Sequence, residues 1–387
     1  MLLHLSFPRK MLMRLAFPRK RESILLFFII ASLAGCASGG AAPESRSATT
    51  TRGEVEPPWN IKTREHIDLW FHAFAMLHQD TSKVPFFRGG YRAELTALRM
   101  QRNITTRLDE NRTRLVDRLG TNQALINSQF LAIYFANWSE MKQFMDMFTR
   151  VEGDPERASN ISVQRAIAII SRYFPSAADR DWARLFMQSV DDEYERFYHA
   201  HWLAEEGRRK PVLAAIDTLW RNTYYPRFKR YLDGSQQRNG DLILSLPLDG
   251  EGRLLPGTVS SPGSSYSYLA INYPDTSAKV VEAIFVFAHE VSGRVVNVAV
   301  SDHTTPAEAR SGLSERYESD GLVVGGYFLI KRVAPELAED YARYYLRSAR
   351  VSTQDSDAES ALMAAFPLPQ LIRESIVRQI NIVLGGI

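Results

Sequence analysis

Ala278–His303 reads AKVVEAIFVFAHEVSGRVVNVAVSDH, and the conformation of this one run decides the fold. It is rich in Val, Ile and Phe, with Ser292-Gly293 near its middle. Propensity alone favours a β-hairpin, Val280–Val291 turning into Arg294–Val300. Length and flanks favour a helix: a strand rarely exceeds about eight residues, Ser277 is placed as an N-cap, and Pro306 suits the first turn of the next helix. Residues 279–300 are therefore expected to form one helix. Glu290 and Arg294 then sit one turn apart, the spacing of a helical ion pair.

Working outward, two apolar strands precede this run, DLILSLPL (241–248) and SYSYLAINY (Ser265–Tyr273). Between them Asp249-Gly250-Glu251-Gly252-Arg253 and the Pro/Gly/Ser-rich stretch 256–264 read as turns, the first placed to line a cleft beside the helix. Downstream, 306–317, 320–349, 356–365 and 368–384 read as helices. Upstream, 59–235 reads as helical throughout. Ile67, Trp70, Phe71, Phe74 and Leu77 recur at helical spacing, and further helices are expected near 90–101, 104–119, 121–134, 137–150, 161–172, 179–204 and 211–232. Gly207 is among the residues that punctuate them. All six Trp lie between 59 and 220, where they serve packing between helices or an interface. The expected class is α+β, predominantly α-helical. A helical region (59–235) and an α+β region (236–387) together form one large domain or two modest ones.

The chemistry-bearing dipeptide is His289-Glu290. In zinc sites of the HExxH type, two His one turn apart reach a single ion and the intervening Glu activates its water. His289 is thus a candidate ligand and Glu290 a candidate general base, with zinc the implied cofactor. The position four residues on is Gly293, which has no side chain to donate. His303, Glu315 and Glu318 are the candidates to complete the ligand set. The competing reading of His289 is a hydrogen-bonded core histidine. His66, His72 and His78 are spaced by six and do not share a helix face; they read as core or solvated histidines. His199 and His201, with Glu193 and Glu195, read as the solvent face of a charged helix.

The chain's formal charge of +3 is carried by its start. Six of the 47 basic and one of the 44 acidic residues fall in 1–35, leaving 41 and 43, a net of −2 for the rest. That balance provides no electrostatic footprint for nucleic acid. The start reads as an export signal: Arg19-Lys20-Arg21, then an apolar run of ten residues (Ile24–Leu33), then Leu33-Ala34-Gly35-Cys36. This last tetrapeptide resembles the lipobox of bacterial lipoproteins. The resemblance implies cleavage before Cys36, the only cysteine, and acylation of its thiol, with membrane lipid as partner. Ala37, rather than Asp, implies delivery to an outer membrane, facing the periplasm. Residues 36–58 read as the lipidated Cys and a tether, small, polar and Pro/Gly-rich, spanning roughly 25 Å. MLLHLSFPRK (1–10) and MLMRLAFPRK (11–20) are near-duplicates, so Met11 or Met13 is an alternative start.

From Trp59 to about Arg350 the chain resembles an uncharacterised family of bacterial lipoproteins, through REHIDLWFHAFAML (64–77), SLPLDGEGR (245–253), FAHEVSGRVVNVAVSDHTTPAEAR (287–310) and RVAPELAEDYARYYLRSA (332–349). The order of elements and His289-Glu290 also resemble gluzincin-like zinc metallopeptidases, with the second His replaced by Gly. The resemblance implies an envelope lipoprotein with a degenerate, binding-only peptidase-like domain. The alternatives are a non-enzymatic helical scaffold that binds an envelope protein or peptide, and an active zinc hydrolase with non-standard ligands.

Overall fold

The computed structural model describes residues 59–78, 82–256, 266–352 and 357–385. The export signal, Cys36 and the expected tether lie outside the described residues. Four strands are present: β1 (Trp59–Thr63), β2 (Asn239–Ser245), β3 (Arg253–Pro256) and β4 (Tyr266–Asn272). The helices are α1 (Glu65–Leu77), α2 (Tyr91–Gln101), α3 (Arg107–Glu110), α4 (Arg112–Thr121), α5 (Trp138–Arg150), α6 (Ile161–Tyr173), α7 (Ala177–Glu193), α8 (His199–Leu219) and α9 (Tyr225–Gly234). After the sheet come α10 (Val280–Val291), α11 (Gly293–His303), α12 (Pro306–Arg310), α13 (Leu313–Val333), α14 (Ala338–Ser348), α15 (Ala358–Ala365) and α16 (Gln370–Gly385). The chain is α+β and predominantly helical, as its sequence leads one to expect.

The strands form one sheet in the order β1-β2-β4-β3, with β1, β2 and β4 parallel and β3 antiparallel to β4. Alternation along the strands divides the interior. Leu242, Leu244, Leu269 and Ile271 face one core, built with α9–α11 and α13–α16. Ile243 and Ala270 face the other, built with α1–α7. Burial on both faces explains why β2 and β4 read as nearly continuous apolar runs. β1 escapes the sequence reading because it is a short edge strand with polar Asn60, Lys62 and Thr63. Its pairing with β2 means that the boundary at 235/236 runs through a shared sheet.

The two cores are also joined by one continuous helix. A π turn (Tyr194–Tyr198) links α7 to α8 and a second (Trp220–Tyr224) links α8 to α9, with helical backbone at each junction. Ala177–Gly234 is thus roughly 85 Å of helix at 1.5 Å per residue. The expected break around Gly207 is absent. Pro211 lies inside α8, and the carbonyl of Gly207 that it leaves without a helical partner is on the exposed side.

Ala278–His303 is helical, not a hairpin. It is divided into α10 and α11 by a tightening at Ser292, whose Oγ–H donates to His289 O (2.8 Å). Ser277 is not the N-cap; it falls in a single 3-10 turn, Ser277–Lys279. Pro306 does open the next helix, capped by Thr305. The run is long and apolar enough to cross a membrane by composition, but 78% of its apolar window is buried in the fold. Burial on nearly every side overrides the β-propensity of Val and Ile. α13 packs closely against it because Gly321 and Gly325 face Val296, where a Cβ would come within 2.7 Å.

Five of the six Trp (59, 70, 138, 182 and 220) are buried, so the packing reading holds and they form no exposed interface. The sixth, Trp202, is half-buried where α8 crosses from one core to the other.

Candidate functional site

α10 carries His289 and Glu290 into the interior, the first fully buried and the second nearly so. Glu290 Oε1 receives two hydrogen bonds, from His289 Nδ1 (2.8 Å) and from the Gly252 N–H (3.1 Å). The imidazole lies parallel to the Tyr345 ring at 5.2 Å, and the Tyr345 hydroxyl donates to Gly250 O (3.0 Å). The Asp249–Arg253 turn is therefore seated on α10 and held by its Glu, instead of lining an open cleft. Gly252 is required there: a Cβ would stand 2.5 Å from Ala270 O and 3.1 Å from Glu290 Cγ. Phe86 and Pro85 clamp the other side of the turn, their carbonyls accepting from Asp249 N–H (3.0 Å) and Glu251 N–H (3.2 Å). The other ring nitrogen, His289 Nε2, is buried without a hydrogen-bond partner among the described residues.

The other candidate ligands do not gather here. α13 presents Gly326 to His289, where an added Cβ would lie 2.9 Å from its Cα. Glu318 and Glu315 lie eight and eleven residues earlier, about 12 and 16 Å along the helix axis. His303 is exposed at the end of α11, fourteen residues and roughly 21 Å from His289. Among the described residues no group of three His, Cys, Asp or Glu is placed to hold a metal. One imidazole and one internally bonded carboxylate do not fit zinc, which takes three protein ligands even at a catalytic site. The expected Glu290–Arg294 pair is also not formed: Glu290 turns to Gly252, and Arg294 Nη1 donates to Ser235 O (2.8 Å).

A second polar cluster, which the sequence reading passed over, lies inside the helical half. His72 is fully buried between Glu193 Oε1 (2.9 Å from Nε2) and the Tyr91 hydroxyl (3.1 Å from Nδ1). Arg99 joins Glu193 (3.0 Å) to Asp109 (2.8 Å), and the Thr106 hydroxyl completes the Glu193 carboxylate. Burial lowers the His72 pKa. Burial pushes Glu193 up, but hydrogen bonding and charge from His72, the Arg99 charge and the Thr106 bond outweigh it and hold the carboxyl low. The consistent state is neutral His72 donating to an ionised Glu193 that Arg99 balances. Glu193 is thus no solvent-face residue, as its charged neighbours suggested. The π turn places Glu193 and Tyr198, five apart, on the same imidazole, with the Tyr198 ring 4.4 Å from that of His72. His199 and Glu195 are exposed as expected, while His201 is half-buried, stacked on Phe197. His66 is a core histidine, bonded to Phe135 O (2.9 Å).

One turn before His72, Asp68 is buried at the carboxyl end of β2. It accepts from the Ser245 hydroxyl, Leu246 N–H (3.2 Å) and Trp202 Nε1–H (2.9 Å). Burial raises its pKa to about 7. This edge is where α/β folds usually bind ligands, because the connections leave it toward opposite faces: β1 runs into α1 in one layer and β4 toward α10 in the other. Here α8 covers it. Arg209 donates to Tyr273 O and accepts at its own carbonyl from the Tyr273 hydroxyl (3.0 Å). The readable signal for this cluster was Asp68 and His72, one turn apart, on a helix whose neighbours are apolar.

On the surface, a shallow groove of about 590 Å³ runs between α13 and α16, lined by Phe328, Val377 and Ile382 with Arg373, Arg378, Glu374 and Asn381. Comparison of the chain with protein-family models, curated proteins and solved structures finds no match.

Proposed function

We propose that this chain is an envelope lipoprotein, held to the membrane through acylated Cys36, whose folded part acts by binding and not by zinc-dependent hydrolysis. The observation that carries the second half is Glu290. A general base must face a water on a metal; this carboxylate is bonded to Gly252 N–H and to its own neighbour His289. The pair fastens the 249–253 turn to α10. The lipobox-like Leu33–Cys36 carries the first half.

Two measurements test this. Metal analysis of the purified protein is expected to find no stoichiometric zinc. Bound zinc, with peptide cleavage that Glu290→Gln abolishes, would overturn the binding reading. Labelling of cells with a fatty-acid analogue is expected to mark the protein and to fail for Cys36→Ala; equal labelling of both would remove the anchor.

A further inference from the structure

We infer that the corner around Trp59, where the described residues begin, is the face that lies on the membrane, taking anionic lipid headgroups. This rests on the anchor proposed above and adds an orientation and a lipid class.

The chain enters the described structure at Trp59, whose indole N–H is fixed to Gln237 O (2.8 Å). Exposed cations lie on α9, just after Gln237, and on α11 against Ser235. Lys229 and Arg238 flank the carboxylate of Asp233 at 2.6 and 3.9 Å. Arg230 donates to Gly385 O (2.7 Å) and Arg294 to Ser235 O (2.8 Å). Those last two bonds are to neutral carbonyls, so they fix the guanidinium groups without cancelling their charge. Gly234 against Val383 brings the end of α16 to the same corner. There Ile382 is 37% exposed, beside Arg378 on the rim of the groove. This basic corner belongs to a chain that is slightly acidic outside its first 35 residues, so it is not a sample of the background.

Cations beside an exposed apolar side chain match the headgroup layer of a bilayer, where basic side chains meet anionic headgroups and an aliphatic group enters the boundary. An acidic protein partner would satisfy the charge but has no stated use for Ile382. Only the 22 residues 37–58 separate Cys36 from Trp59, a length of chain that keeps this corner near the surface that holds Cys36.

The sequence supplies its own probe, because Cys36 is the only cysteine and acylation consumes it. The full lipidated chain carrying Ile382→Cys, labelled there with a fluorophore, is placed in vesicles of neutral lipid or of neutral lipid with an anionic component. The vesicles carry a headgroup quencher. At least threefold stronger quenching in anionic vesicles is expected, reversed by salt. The same label at Arg184→Cys, on α7 in the other helical layer, should show no such difference. Combined Lys229→Gln and Arg238→Gln, which leaves both backbone-bonded arginines in place, should weaken the quenching. The salt response is read without the Lys229 and Arg238 substitutions and so guards against a misfolded charge variant. Vesicle-bound protein whose 382 label ignores lipid charge would sink this inference and leave the anchor. Protein that leaves neutral vesicles but sediments with anionic ones, in a salt-sensitive way, would sink the anchor and keep the basic face. Protein that binds neither sinks both.

Discussion

Replacing Glu290 separates a fastener from a general base. In Glu290→Ala the Gly252 N–H and His289 Nδ1–H both lose their acceptor in a site with little access to water. A buried donor left without a partner costs about 1–3 kcal/mol, so two give roughly 2–6 kcal/mol. Glu290→Gln keeps an acceptor oxygen and replaces charge-assisted bonds by neutral ones, at about 1 kcal/mol. Each kcal/mol lowers the melting temperature by about 2 °C in a protein of this size. The expected order of melting temperatures is wild type, then Gln, then Ala, the last lower by roughly 4–12 °C. Thermal unfolding followed by circular dichroism reads this directly. A catalytic carboxylate behaves in the opposite way, because groups poised for chemistry are held at a cost to the fold and their removal often stabilises. An Ala variant that melts at or above the wild-type temperature would refute the fastener.

Gly293→His restores the spacing of a complete zinc motif, yet no zinc uptake is expected, since His289 stays stacked under Tyr345 and Glu290 stays on Gly252; calorimetric zinc titration checks this, and tight stoichiometric binding would contradict it. Gly326→Ala places a Cβ 2.1 Å from the Tyr341 hydroxyl and 2.9 Å from His289 Cα, so overpacking should cost about 1–3 kcal/mol, while Gly293→Ala, whose Cβ meets Leu322 Cδ2 at 3.2 Å, should be far milder in the same denaturant titration. Glu193→Ala leaves Arg99 buried beside a lost partner and is expected to cost about 3–5 kcal/mol, read by urea unfolding; a loss under 1 kcal/mol would show that the cluster is not a strut. Burial lowers both His66 and His201 to about 4, so the unfolded chain takes up protons first: their contribution is complete above pH 6.5 and is lost as pH falls toward 4. Asp68, raised to about 7 by burial, works in the opposite sense, favouring the fold at low pH and losing that effect as pH climbs from about 4 to 7. His66→Gln should therefore flatten the acid-side slope of unfolding free energy, and Asp68→Asn the neutral-side slope.

The sequence carried the element types well wherever burial imposes a period. β2 and β4 are legible because both faces are covered, so their middles, Leu242–Leu244 and Leu269–Ile271, are apolar without a break; the helix at 278–303 is legible because it is too long for a strand. What escaped depends on three dimensions. β1 owes its existence to pairing with β2, whose Gly240 stands opposite Trp59 from 181 residues along the chain, and its Trp59–Lys62 alternation is too short to mark a strand by itself. The helix from 177 to 234 runs through Gly207 and Pro211 because both sit on its exposed side, a fact the local code lacks. Glu193 looked solvated among Asp191, Asp192 and Glu195, yet it continues the buried face of α7 after Trp182, Phe186 and Val190, which brings it to His72. At His289-Glu290 the residue types suggested chemistry, and only the position of Gly252 reveals a hydrogen-bond clamp.

These buried groups share a property that bears on function. In His289-Glu290, in the His72–Glu193–Arg99 cluster and at Asp68, each polar side chain spans elements distant in sequence: α10 to the 249–253 turn, α1 to α2 and α7, α1 to β2 and α8. Such bonds specify which element packs on which, and they leave little exposed to a ligand. The edge of the sheet that ordinarily receives one is covered by α8, whose Trp202 and Arg209 fill the place with the chain's own atoms. A molecule that uses its interior polar groups for assembly must meet its partners on its outer surface. The described residues place exposed cations and Ile382 together at one corner, the surface proposed above to take lipid headgroups.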